Sequence, residues 1–135
     1  MEFPREKEVA VPITQRAATT KQTGDAAEDL ALAHLQRKGL KLVARNYRTP
    51  GRGGGEIDLV MREPDGTVVF VEVRKRASRS HGGAAASVSF FKQRRIVFAA
   101  RHFIMRLAKE PACRFDVISV EGDHIEWLRA AFDAA

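Results

Sequence analysis

Residues 55–74 read GEIDLVMREPDGTVVFVEVR, two apolar-rich runs either side of Pro64-Asp65-Gly66. Side chains on a strand point alternately to its two faces, so Ile57, Leu59 and Met61 share one face and Glu56 and Asp58 the other. In the second run Val69, Val71 and Val73 oppose Phe70, Glu72 and Arg74. The two apolar triplets must lie on one side of a sheet to make a core. A two-residue turn at Pro64-Asp65 pairs Asp58 with Val71 and sets those faces in conflict. A three-residue loop, Pro64-Asp65-Gly66, pairs Glu63 with Thr67 and restores agreement, Pro opening a type I turn and Gly taking the left-handed position. In that register Asp58 faces Glu72, and Glu56 faces Arg74.

Directly opposed carboxylates repel each other. A fold holds them when one is protonated, when cations intervene, or when both face bulk water. The last case is a solvated outer face with Glu56–Arg74 as a cross-strand pair. Phe70, on the face of Glu72, argues for cover instead. Under cover, two hard oxygen donors suit Mg²⁺ or Mn²⁺, completed by waters and phosphate oxygens.

Outward from the hairpin, periodicity predicts a helix from about Asp25 to Lys38, capped by Thr23 or Asp25 and ended by Gly39, with Ala27, Leu30, Ala31 and Leu35 buried. Leu40–Tyr47 alternates as a strand, and GRGGG (51–55) reads as a mobile loop. Ala77–Ala86 reads as a flexible crossing. A helix over 88–109 follows, with Ile96, Ala100, Phe103, Ile104 and Leu107 at helical spacing. Strands at Arg114–Val120 and His124–Leu128 end the pattern, with Trp127 and Phe132 as core plugs. Residues 1–23 read as a flexible tail and 24–135 as one domain.

Composition excludes several classes. No apolar run reaches the ~18–20 residues of a membrane span. The opening MEFPREKEVAVPITQ lacks the apolar core of a secretory signal, so the expected compartment is the cytoplasm. The single cysteine, Cys113, gives no disulfide framework or cysteine-held zinc site. The four histidines have no metal-ligand spacing; His34 and His102 read as structural, and His81 in the loop RSHGG as an idle residue rather than a general acid near the site. Asp116 in RFDVI reads as a partner for a neighbouring base. The net charge is +6, but residues 73–114 hold eleven basic side chains and one acid, followed by a compact acidic segment. Such a field draws a polyanion, and nucleic acid, DNA or RNA, is the first partner to consider. Lys75, Arg76, Arg79, Arg94, Arg95 and Arg101 form the expected phosphate-contact strip.

Asp58, then Glu72-Val73-Arg74 on the next strand, after a helix bearing Glu28, resembles the PD-(D/E)xK restriction-endonuclease-like fold. More closely, GEIDLV, FVEVRKR, the helix with Lys92 and Arg95-Ile96, and RFDVI resemble the YraN family of small bacterial proteins. The resemblance spans about residues 24–132. It implies an α/β fold, the restriction-endonuclease-like αβββαβ core with a mixed central sheet flanked by helices. It also implies Asp58 and Glu72 as metal ligands, with Glu28 as a third acid. In our reading the ion is Mg²⁺ or Mn²⁺, with Glu28 or Glu56 assisting through water. The motif's lysine is replaced here by Arg74, which cannot act as a base but can hold a phosphate. Lys75 follows it but points to the other face. Lys92, at the start of the basic helix, is placed to approach from outside the strand.

The leading expectation is a nucleic-acid-binding protein with a nuclease-like site, carrying out metal-dependent phosphodiester hydrolysis. Arg74, Lys92 and Glu28 are its candidate catalytic residues, and turnover is expected to be weak or undetectable. The alternatives are a non-catalytic nucleic-acid-binding module and a basic protein-interaction domain. The sequence leaves monomer and homodimer both open.

Overall fold

The hairpin quoted above is the middle of a five-stranded sheet, and its register is the one that a three-residue loop dictates. The computed structural model describes residues 20–76 and 88–134. Its elements are α1 (Thr20–Arg37), β1 (Lys41–Arg48), β2 (Glu56–Arg62), β3 (Val68–Lys75), α2 (Phe90–Ile104), β4 (Cys113–Glu121) and β5 (His124–Phe132). The strands lie in the order β1-β2-β3-β4-β5. All neighbours are antiparallel except β3 and β4, which run parallel. Parallel neighbours need a crossover, and α2 lies on it. This is an α/β fold consistent with the restriction-endonuclease-like αβββαβ core, with β5 added at the edge.

At the hairpin the Glu63 N–H donates to the Thr67 carbonyl (2.8 Å) and the Gly66 N–H to the Glu63 carbonyl (2.9 Å). The Asp65 carboxylate accepts from the Thr67 N–H, and Gly66 sits at φ +96, where a side chain is disfavoured. Leu59 pairs with Val71, so Asp58 comes level with Glu72.

The two helices cover opposite faces of the sheet. Ala27, Ala31 and Leu35 of α1 pack on Leu59, Met61, Val69 and Val71. Ile96, Ala100 and Phe103 of α2 pack on Val60, Phe70, Phe115 and Val117. β3 is therefore buried on both sides: Val68, Val69, Phe70 and Val71 have no exposure, as expected of a central strand with a parallel neighbour.

Four expectations need correction. The first helix begins at Thr20, so Thr23 and Asp25 lie within it, past the position of a cap. Leu30 is 41% exposed, because α1 turns only the Ala27–Ala31–Leu35 stripe inward. α2 stops at Ile104, where Met105 closes the helix with its N–H on the Arg101 and Phe103 carbonyls; Leu107 packs from the following turn. The last strand runs on to Phe132. Residues 1–19, the crossing at 77–87, Arg79 and His81 lie outside the described residues.

The alternation expected of β2 also fails at one point. Leu59 and Met61 face α1 as expected, but Ile57 packs with Val60 on the α2 side. β1 resets at the same level: Arg45 bonds to α1, while Tyr47 packs under α2, and between them Asn46 adopts φ 54. The Asn46–Asp58 step is missing from a ladder that also shifts register between Leu42 and Ala44. Asp58 thus sits where both strands turn over.

Candidate carboxylate and cation site

Asp58 does not point squarely to either face of the sheet. Its Oδ2 accepts the Val73 backbone N–H at 2.8 Å, where the β2–β3 ladder has just ended. Burial pushes the Asp58 carboxyl up to about 7, with the adjacent Glu72 charge adding to the effect and the Val73 N–H opposing it. Glu72 itself is only 4% exposed. Its Oε2 is 3.3 Å from Lys92 Nζ and 3.6 Å from an Arg74 guanidinium nitrogen. Among the described residues, Glu72 has two cations beside it, whereas Asp58 has the Val73 amide and the Glu72 carboxylate.

Lys92 arrives because Ser89 caps α2: the Ser89 hydroxyl accepts from the Lys92 N–H at 3.1 Å, fixing the first turn over the end of β3. The approach expected from outside the strand is the one seen. Arg74 shares the face of Phe70 and Glu72, also as read from alternation. The expected Glu56–Arg74 pair is not formed, because Glu56 lies opposite Arg48 on β1 and pairs with it at 3.5 Å. Glu56 still adds to the field that raises the Asp58 pKa. Glu28 is held by Arg45 at 3.4 Å. Burial raises its pKa, the Asp58 charge raises it further, and Arg45 opposes both. So Glu28 feels the site from α1 while its carboxylate is engaged elsewhere.

Among the described residues no three His, Cys, Asp or Glu side chains converge as a ready-made metal cage. The pair nevertheless suits a small hard cation. Mg²⁺ commonly takes one or two protein carboxylates and fills its remaining positions with water and phosphate oxygens. Asp58, buried against Glu72 with no cation of its own among the described residues, would lose its repulsion on binding one.

The glycine-rich loop is anchored at its Gly54–Gly55 end. Thr49 Oγ1 accepts the Gly55 N–H at 2.7 Å, and Arg95 donates to the Gly54 carbonyl through Nε and Nη2. A Cβ on Gly55 would overlap the Arg95 backbone carbonyl, so the loop can lie this close to α2 only with glycine there. Of the expected phosphate strip, Lys75 and Arg94 are exposed, and the Arg76 N–H continues the sheet onto the Val120 carbonyl. Arg101 reaches the Ala134 carbonyl at 3.3 Å. Arg106 lies beyond the helix, over Tyr47 and Phe103.

A second buried carboxylate was read only as a base partner. Asp116, with no exposure, accepts from Arg114 Nε, Trp127 Nε1 and the Ala130 N–H, all at 2.9–3.2 Å. Arg114 is the neighbouring base expected. The Trp127 and Ala130 donors come from β5, which has a register shift here and holds Ala130 at φ 52.

A family model described as "Uncharacterised protein family UPF0102" matches residues 27–120. A UPF0102 protein of Albidiferax ferrireducens is 66% identical over 127 residues, covering 93% of this chain and 99% of the relative. One from Methylibium petroleiphilum is 68% identical over 120 residues, covering 87% and 98%. One from Paracidovorax citrulli is 65% identical over 119 residues, covering 88% of each chain.

Proposed function

The chain belongs to the UPF0102 family, which is the YraN family, and from that premise we propose that it binds nucleic acid and cleaves its phosphodiester bonds at Asp58 and Glu72 with a divalent metal. The observation that carries this reading is Lys92 Nζ at 3.3 Å from Glu72 Oε2, beside Asp58. An ammonium group there can orient an attacking water and neutralise charge that builds on the phosphate. Arg74, part exposed at the mouth of the site, can grip a phosphate oxygen pair through its planar fork. Asp58 and Glu72 would hold Mg²⁺ or Mn²⁺, which when bound polarises the phosphate and acidifies a water. The basic residues of 73–114 would track the backbone. Among the described residues no helix is long and apolar enough to cross a membrane.

The test is Mg²⁺- or Mn²⁺-dependent cleavage of labelled DNA and RNA by wild type and Lys92→Ala. Charge-neutralising and proton-handling groups act mainly in the transition state, so Lys92→Ala should lower turnover by roughly 100-fold or more. Binding should change only a few-fold. Robust cleavage that survives the substitution would contradict the role given to Lys92.

A second reading, binding without turnover, is favoured by the two cations already on Glu72, because they compete with a metal for that carboxylate. Its signature is salt-dependent binding with no wild-type cleavage, and a trace of activity in Arg74→Lys. Binding that ignores salt would point to a protein partner instead.

A further inference from the structure

The outer face of α2 carries large apolar side chains that its core stripe does not use. Phe90, Phe91 and Phe98 are 68%, 70% and 52% exposed. Between them stand guanidinium groups: Arg94 lies 5.8 Å from the Phe90 ring centroid and Arg95 6.0 Å from that of Phe91. With Gly53 of the glycine-rich loop, these residues line one open groove that contains no acidic side chain. Soluble surfaces seldom keep three aromatic rings together without use.

We infer that this face binds an unpaired stretch of nucleic acid, its bases stacking on Phe90, Phe91 and Phe98 and its phosphates meeting Arg94. The inference rests on the nucleic-acid reading above and narrows it to single-stranded or branched substrates. Three observations select this occupant. Rings alternating with guanidinium groups match the alternation of bases and phosphates in a single strand, and ring stacking tolerates any base. A second copy of the chain docking by the same face would bring Arg94 and Arg95 against their own kind. The groove also shares Arg95 with a small cleft that holds Lys92. Lys92 follows Phe91 directly in the chain, and Glu56 and Ile96 complete the lining of that cleft. Phe91 to Phe98 spans seven residues, about 10 Å of helix, room for roughly three stacked bases. A closed duplex keeps its bases inside and offers these rings nothing to stack on.

The test is fluorescence anisotropy with labelled single-stranded dT20 and a 20-base-pair duplex, on wild type and on Phe91→Leu/Phe98→Leu. Leucine keeps the surface apolar and removes the ring, and both positions are solvent-facing, so folding is spared. Wild type should prefer dT20. The double variant should lose roughly 10-fold or more in affinity for dT20, since each stacked base contributes measurably, and should keep its duplex affinity. Equal binding of both probes by wild type, or dT20 binding indifferent to the substitutions, overturns the inference and leaves the nucleic-acid reading standing. Binding of neither probe at low salt overturns both. A wild-type dimer in sedimentation that the double variant converts to monomer, with dT20 affinity unchanged, shows instead that the face joins two copies.

Discussion

Asp116 on β4 and Asp58 on β2 both stand where a strand's regular pairing breaks, yet they are treated in opposite ways. Asp116 is fully enclosed, and both its oxygens take donors: the Arg114 guanidinium, the Trp127 indole and the Ala130 amide. Asp58 takes one amide, faces the Glu72 carboxylate and is pushed up to about 7 by burial and that neighbour. Among the described residues, Arg74 and Lys92 are both spent on Glu72. A carboxylate whose oxygens are all satisfied holds strands together. One buried beside a like charge costs stability in the empty protein, and a cation turns that cost into affinity.

The contrast breaks most visibly at Asp116. Asp116→Ala strands Arg114, the Trp127 N–H and the Ala130 N–H at once, and should cost about 3–5 kcal/mol in urea unfolding. A loss below about 1 kcal/mol would remove the distinction. Asp58→Asn should do the reverse. A carboxyl whose folded pKa lies above its unfolded value adds stability only at low pH, and that contribution is lost as pH rises from about 4 to about 7. Relative to wild type, Asp58→Asn should therefore be near parity at pH 4 and more stable at pH 8, by on the order of 3 kcal/mol without metal. A stability difference independent of pH would show that Asp58 does not titrate against Glu72. Lys92→Ala should have the smallest effect on stability, about 1 kcal/mol or less, because Lys92 is half exposed and Arg74 remains on Glu72. A larger loss would make Lys92 a structural partner first.

The hairpin was legible because only a three-residue loop lets two apolar triplets share a side, and that one choice also sets Asp58 beside Glu72. Lys92 could be placed because the +10 segment puts a basic helix directly after β3. Strict alternation could not show the turnover at Asp58, which depends on a matching irregularity one strand away. Asn46, of a residue type that accepts positive φ, was the available signal. The Glu56–Arg74 pair failed for a similar reason: reading the hairpin alone leaves out β1, whose Arg48 reaches Glu56. The helix ends shifted because α1 starts and α2 stops without a Pro or Gly to mark the place. The exposed phenylalanines of α2 were passed over because helical periodicity identifies the inward stripe and is silent about what the outward one meets.

The most direct test is the melting temperature of metal-free, untagged protein titrated with Mn²⁺, wild type beside Asp58→Asn at pH 7.5. If Asp58 and Glu72 form a cation site, saturating Mn²⁺ should raise the wild-type midpoint by about 5 °C or more. The Asp58→Asn protein should start higher and not respond. A wild-type midpoint unmoved at millimolar Mn²⁺, or an equal rise in both proteins, would contradict it.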